Sequence, residues 1–183
     1  GTTGFISEVT LKVQKNEDIA VTAVACPDAH TVSRIFQDFI DHDLPVWSVL
    51  FINPRMAEMK NRAPLMEHHG HPVEERVILP AAYISTIAFK EKDRGMVMEK
   101  LPEIVKKCEG EILDQKIADH EWKHRFKFMV VKRLGPSLVP AEVVVPLDKL
   151  GDVMEEIESR INQPVVKEGV IIRESREGKA EAV

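Results

Sequence analysis

Little in this 183-residue chain ties it to an oxidising compartment, a membrane or a nucleic acid. It has two cysteines, Cys26 and Cys108, too few for a secreted disulfide scaffold and not at the short spacing of a zinc ribbon. Aromatic residues make up only 5% of the chain, which removes the stacking platforms of single-strand binders. A net charge of −5 with no Lys/Arg block offers no basic face for phosphates. No apolar run approaches the ~20 residues of a membrane span, and no charged-then-apolar leader opens the chain. The expectation is a reducing, cytoplasmic setting with no nucleic-acid partner and no transmembrane segment. None of the serines sits in a Gly-x-Ser-x-Gly elbow and neither cysteine has a nucleophile's flanking signature, so no catalytic residue is assigned. Methionine is missing from the first position, where Gly1 stands, and first occurs at Met56. That predicts a piece of a longer polypeptide.

What is present is ordinary for a globular domain: 44% hydrophobic and 30% charged residues. A chain of this length removes about 70% of its unfolded surface from water, so it needs no disulfide or structural metal to fold. Phe5 to Val13 alternates apolar and polar side chains and predicts a half-buried strand. Ile19 to Ala25 reads as a second strand. Asp28 then caps a helix to about Asp41 along the stripe Val32, Ile35, Phe36, Phe39, Ile40. A strand over Val46 to Ile52 is followed by a helix with Asn53 as cap and Pro54 at its first position, ending near Pro64. Further on, the pattern predicts a strand over about Ala81 to Phe89 and a helix from Asp93 through Met96, Met98, Leu101, Ile104 and Val105, in which Pro102 removes one hydrogen bond and makes a kink. A strand at Glu111 to Lys116, a helix from Ile117 to about Lys127 and a strand at Ala141 to Val145 come next. Last are a helix over Asp148 to Ile161, a strand over Pro164 to Ile172, and a charged, frayed tail from Arg173. Short strands alternating with helices, without a glycine-rich phosphate loop, give an α+β fold: ferredoxin-like βαβ units, with helices packed on an antiparallel-to-mixed sheet. Two such units in tandem fit the helix count.

Three local clusters carry chemistry. His68, His69 and His71, with Glu67, could hold Zn²⁺, but they lack helical spacing and Gly70 and Pro72 mark a loop. A solvated loop and a metal site both stay open there, and no metal ligand is assigned. On the helix from Ile117, Glu121 and Arg125 are four apart and could simply pair. Alternatively, Trp122 and Arg125, three apart, share a face, so the aromatic ring could hold the guanidinium toward a cleft for a carboxylate. The third cluster, Gly1-Thr2-Thr3-Gly4 before a strand, is by itself a weak phosphate signal.

Two segments add a family resemblance. Gly1-Thr2-Thr3-Gly4-Phe5-Ile6-Ser7-Glu8-Val9-Thr10-Leu11-Lys12 resembles the block that closes the FAD-binding domain of FAD-linked oxidases of the vanillyl-alcohol-oxidase type. The likeness is to the branch of glycolate oxidase large subunits, D-lactate dehydrogenases and D-2-hydroxyglutarate dehydrogenases. Ala141 to Leu150 is similar to that branch's cap-domain strand and helix start, and Trp122-x-x-Arg125 to its W-x-x-R segment. The resemblance implies that residues 1–13 are the C-terminal strand of an FAD-binding domain and residues 14–183 an incomplete substrate-side cap. It implies FAD as cofactor, with Gly1, Thr2, Gly4 and Ile6 at the flavin and Arg125 and Trp122 at the substrate. The implied reaction is oxidation of a small D-2-hydroxy acid such as lactate or glycolate to the 2-oxo acid, with the FAD-binding domain of the same polypeptide as partner and the fragment inactive alone. The family's pyrophosphate loops and Gly-Asp-Gly-Asn block are absent, and the leucine usual before Trp122 is missing. A stand-alone ferredoxin-like module that binds a ligand or dimerises is the alternative. Nothing in the residues fixes an oligomeric state.

Overall fold

The structure, a computed structural model, describes residues 4–13, 15–65, 67–69, 71–127, 131–132, 134, 141–161, 165, 167–172 and 181–182. Its first half is a βαββαβ unit. Strand β1 (Ile19–Cys26) leads into helix α1 (Ala29–Asp41), and β2 (Val46–Ile52) into α2 (Pro54–Arg62). A two-residue hairpin of β3 (Glu67–His68) and β4 (His71–Pro72) precedes β5 (Tyr83–Lys90). Helix α3 (Arg94–Lys107) then returns the chain to β6 (Glu111–Ile112). The order β6-β1-β5-β2, antiparallel at every junction, is the ferredoxin-like arrangement expected from the sequence.

Beyond it come α4 (Gln115–Lys123), β7 (Val145–Pro146), a 3₁₀ turn running into α5 (Leu150–Arg160), β8 (Glu168–Ile172) and β9 (Glu181–Ala182). These strands do not build a separate second sheet. Instead β8 joins the free side of β2, and β9 and β7 extend the same antiparallel sheet to seven strands.

The helix starts follow local chemistry. Asp28 accepts a hydrogen bond from the Thr31 N–H at 2.6 Å and caps α1. Asn53 does the same for Met56 at 2.9 Å. Asn53 is also buried, accepts from the Lys167 N–H at 3.1 Å and donates to the Val165 carbonyl at 3.0 Å, so one side chain caps α2 and seats the entry to β8. Helix α3 runs unbroken through Pro102, because Val97, Leu101, Ile104 and Val105 bury a stripe whose packing outweighs one lost backbone bond.

Helices cover both faces. On one, α1, α3 and α5 press large residues, Val32, Phe36, Leu101 and Leu150 among them, onto Val24, Phe51, Ile87 and Phe89. On the other, α2 and α4 bring Met56, Ala57 and Ala118 onto Val21, Ala23, Ile84 and Ala88.

Several expectations are corrected. Residues Phe5–Val13 form no strand, and Phe5, Ile6, Val9, Leu11 and Val13 are exposed, since no edge of this sheet pairs with them. The strand expected at Ala141–Val145 shrinks to Val145–Pro146, with Val143 and Val144 exposed. Helix α4 starts at Gln115, not Ile117, because Asp114 caps it by accepting from the Lys116 N–H at 2.7 Å. Of the tail expected to fray, only Glu181–Ala182 is described, and it is paired in the sheet.

Candidate functional site

Helix α4 lies on the small-residue face and turns one edge inward: Ala118 and Glu121 are buried, with Ile117 and Trp122 packed against that core. The helix ends at Lys123, and His124 to Phe126 make a turn closed by the Arg125 N–H on the Trp122 carbonyl at 3.3 Å and the Lys127 N–H on the His124 carbonyl at 2.7 Å. That turn presents Arg125. Its Nη1 donates to the Trp122 carbonyl at 2.6 Å, and the guanidinium carbon lies 4.0 Å from the centre of the Trp122 ring and 4.6 Å from that of Phe126. Two aromatic rings thus flank a half-buried cation. Among the described residues no carboxylate pairs with it.

The Glu121–Arg125 pair that four-residue spacing allows is not formed. Glu121, 6% exposed, takes Lys60 of α2 at 2.5 Å instead, and its other oxygen meets His120 Nδ1 at 3.1 Å. Burial pushes the Glu121 pKa up, but the His120 hydrogen bond and Lys60 outweigh that and hold it below the ordinary carboxylate range. Glu168, at the start of β8, has no such compensation: burial raises it to about 7, with Lys60 lowering it and Glu121 adding to the rise. Further along α4, the rings of His120 and His124 stand 4.3 Å apart, and His124 Nε2 contacts Glu74. Burial, then His120, keeps the His124 pKa below its ordinary value against the pull of Glu74. Glu74 also meets Lys127 at 3.2 Å and Lys123 at 3.8 Å. Although burial raises it, Lys127 and His124 bring it below the usual range.

The structure brings Trp122 and Arg125 into contact, as their spacing predicts, and sets around α4 four residues that the sequence does not single out, Lys60, Glu168, Glu74 and Trp47. The overlooked signal is His120-Glu121-Trp122-Lys123-His124, which has the His-Glu-x-x-His spacing of helical zinc sites. The geometry argues against a cation there: Glu121 is committed to Lys60, and Lys123 and Lys127 flank Glu74, the carboxylate that His124 meets. Among the described residues no group of three His, Cys, Asp or Glu is placed to hold a metal ion. The other histidine cluster sits at the β3–β4 hairpin, with His68 opposite His71 in register and His69 and His71 exposed; Gly70 and the His68 side chain lie outside the described residues. Cys26 is no nucleophile, since burial pushes its thiol up to about 12. Gly1 and Thr2 lie outside the described residues, and Gly4 and Ile6 are exposed.

Residues 15–170 match the family of FAD linked oxidases, in its C-terminal domain. Among curated proteins none matches the chain.

Proposed function

Because this chain belongs to the FAD-linked oxidase family through that C-terminal domain, we propose that it is the substrate-side cap of an FAD-dependent dehydrogenase. Its substrate is a small D-2-hydroxy acid of the lactate or glycolate kind, oxidised to the 2-oxo acid, and Arg125 is the ligand of the substrate carboxylate. The observation that carries this reading is a guanidinium oriented by two rings and one carbonyl, with no carboxylate of its own among the described residues. Committing Nη1 to the Trp122 carbonyl leaves the Nε–Nη2 edge for a two-pronged grip. Such a grip fixes the acid's orientation and compensates the burial of its charge.

The family's cofactor belongs to the complete enzyme. A flavin ring needs a walled, largely apolar cleft; Gly4 has open space where a Cβ would stand and Ile6 is exposed, so the described residues from 4 to 13 do not build one. No step of the chemistry is therefore assigned to this chain beyond binding and orienting the acid. The exposed alternation of Phe5 to Val13 supports the proposal that residues 1–13 complete a sheet of the FAD-binding domain in the same polypeptide. The free, buried thiols of Cys26 and Cys108 support a reducing, cytoplasmic location.

In the complete enzyme, Arg125→Ala is expected to raise KM for D-lactate or glycolate about 100-fold, the loss of a charge-assisted bidentate contact, while flavin stays bound. The isolated chain is expected to purify colourless. Unchanged kinetics in the variant would remove Arg125 from the substrate, and a stoichiometrically yellow chain would return the flavin to this domain.

A further inference from the structure

Trp47 is 56% exposed although it lies in a central strand of the sheet. Regular alternation would place it with Val49 and Phe51 on the face covered by α1. However, the β2–β5 register shifts between Val46 and Ser48, a bulge of one extra residue. Val46 takes the α1 face, packed against the large apolar core. Trp47 is freed from the alternation, and its ring meets Trp122 of α4 edge-on, with centroids 5.9 Å apart and planes at 70°. Trp122 in turn carries Arg125 through both its ring and its carbonyl. On the inner side, the same helix is pinned by Lys60 and Glu121.

We infer that Trp47 is a positioning residue for the carboxylate-binding arginine: from the β2 bulge it braces Trp122 and so holds Arg125 in the orientation that receives the acid. The inference rests on the carboxylate-ligand reading of Arg125. Trp47 itself touches no substrate. An arginine on a free stem loses rotamer entropy when it grips a ligand, and a guanidinium already stacked on a braced ring loses less. Loosening the brace therefore weakens binding of the acid and leaves the chemical step alone.

The chain contains two tryptophans, so an exciton couplet in its circular dichroism spectrum reports this pair alone. The isolated chain should show the couplet, and Trp47→Phe should abolish it without changing the melting transition. A wild-type chain with no couplet overturns the inference. In the complete flavoenzyme, with D-lactate and glycolate as probes, Trp47→Leu should raise KM about 3- to 10-fold, what an aromatic pair contributes, with kcat within about twofold. Trp47→Phe, which keeps an edge-on ring, should stay within about twofold of wild type in KM. If Arg125→Ala raises KM and Trp47→Leu does not, or if Trp47→Leu lowers kcat at constant KM, the positioning role is wrong while the carboxylate reading stands. If neither variant moves KM, or neither acid is turned over, the carboxylate reading itself fails and takes this inference with it.

Discussion

On the face covered by α1, α3 and α5, the strands present Val24, Phe51, Ile87 and Phe89, all sealed from water. On the face covered by α2 and α4, the same strands present Val21, Ala23, Ile84 and Ala88. The second set contributes less apolar area, and the helices above it bring charge as well as methyl groups: Lys60 and Glu121 as a buried pair, His120 and His124 ring against ring, Glu74 with its lysines, and Glu168. Charge also reaches the first face, where Lys167 pairs with Glu158 at 2.6 Å and bonds the Tyr83 hydroxyl at 3.2 Å, but that cluster lies at the β8–α5 margin of a large apolar core. One face is held mainly by area removed from water. The other is held by pairing as well, and it is the one that orders the turn bearing Arg125.

The two modes of cohesion predict different responses to substitution. The largest effect belongs to the apolar face, where Phe89→Ala empties a fully buried position and should cost about 4 kcal/mol in urea unfolding of the chain. A loss under about 1 kcal/mol would mean that this core is not the main source of stability. On the other face, Lys60→Met strands Glu121, which is left with His120 alone, and should cost about 3 kcal/mol. The discriminating variant is the double substitution Lys60→Met, Glu121→Leu. Once both charges are gone the desolvation penalty goes with them, and stability should return to within about 1 kcal/mol of wild type. If the double variant is as damaged as the single one, the pair is not acting as a unit.

How far the sequence could be read follows the same division. Caps and stripes act within a few residues, so Asp28 and Asn53 mark the starts of α1 and α2 in the bare sequence, and β1, β2 and β5 show as short apolar runs between breaks. The spacing of Trp122 and Arg125 also signals their contact, although α4 ends at Lys123 and Arg125 reaches back to the Trp122 ring and carbonyl from the turn that follows, not from the same helical face. Glu121 misleads because its local partner, Arg125, sits at the favoured spacing, whereas Lys60, 61 positions away, meets it in a buried setting where pairing matters more. The bulge at Trp47 leaves no mark in the strand pattern of Val46 to Ile52, because an extra residue shows only against its partner strand. Phe5 to Val13 carries a genuine strand alternation, yet a strand needs a neighbour, and none of the described strands supplies one.

The smallest expected effect separates the two faces by pH. Glu168, raised from 4.5 to about 7, keeps its proton in the folded chain across an interval in which the unfolded chain has lost it. The folded state therefore binds more protons there, and this group makes stability fall as pH rises through that window. His124, lowered from 6.5, works the other way: below its unfolded value the unfolded chain binds the proton more readily, so its contribution is lost as pH falls. Glu121 and Glu74, both lowered from 4.5, add stability that is full above that value and lost only at more acid pH. Below pH 6.5 the slope of Glu168 therefore opposes that of His124. Glu168→Gln, a neutral replacement of the same shape, should stabilise the chain by about 2 kcal/mol near pH 8 and by almost nothing near pH 4, uncovering the rising slope of His124. Urea unfolding at the two pH values measures both. An equal gain at each would place the cause in packing, and the charge cluster would then not distinguish this face from the apolar one.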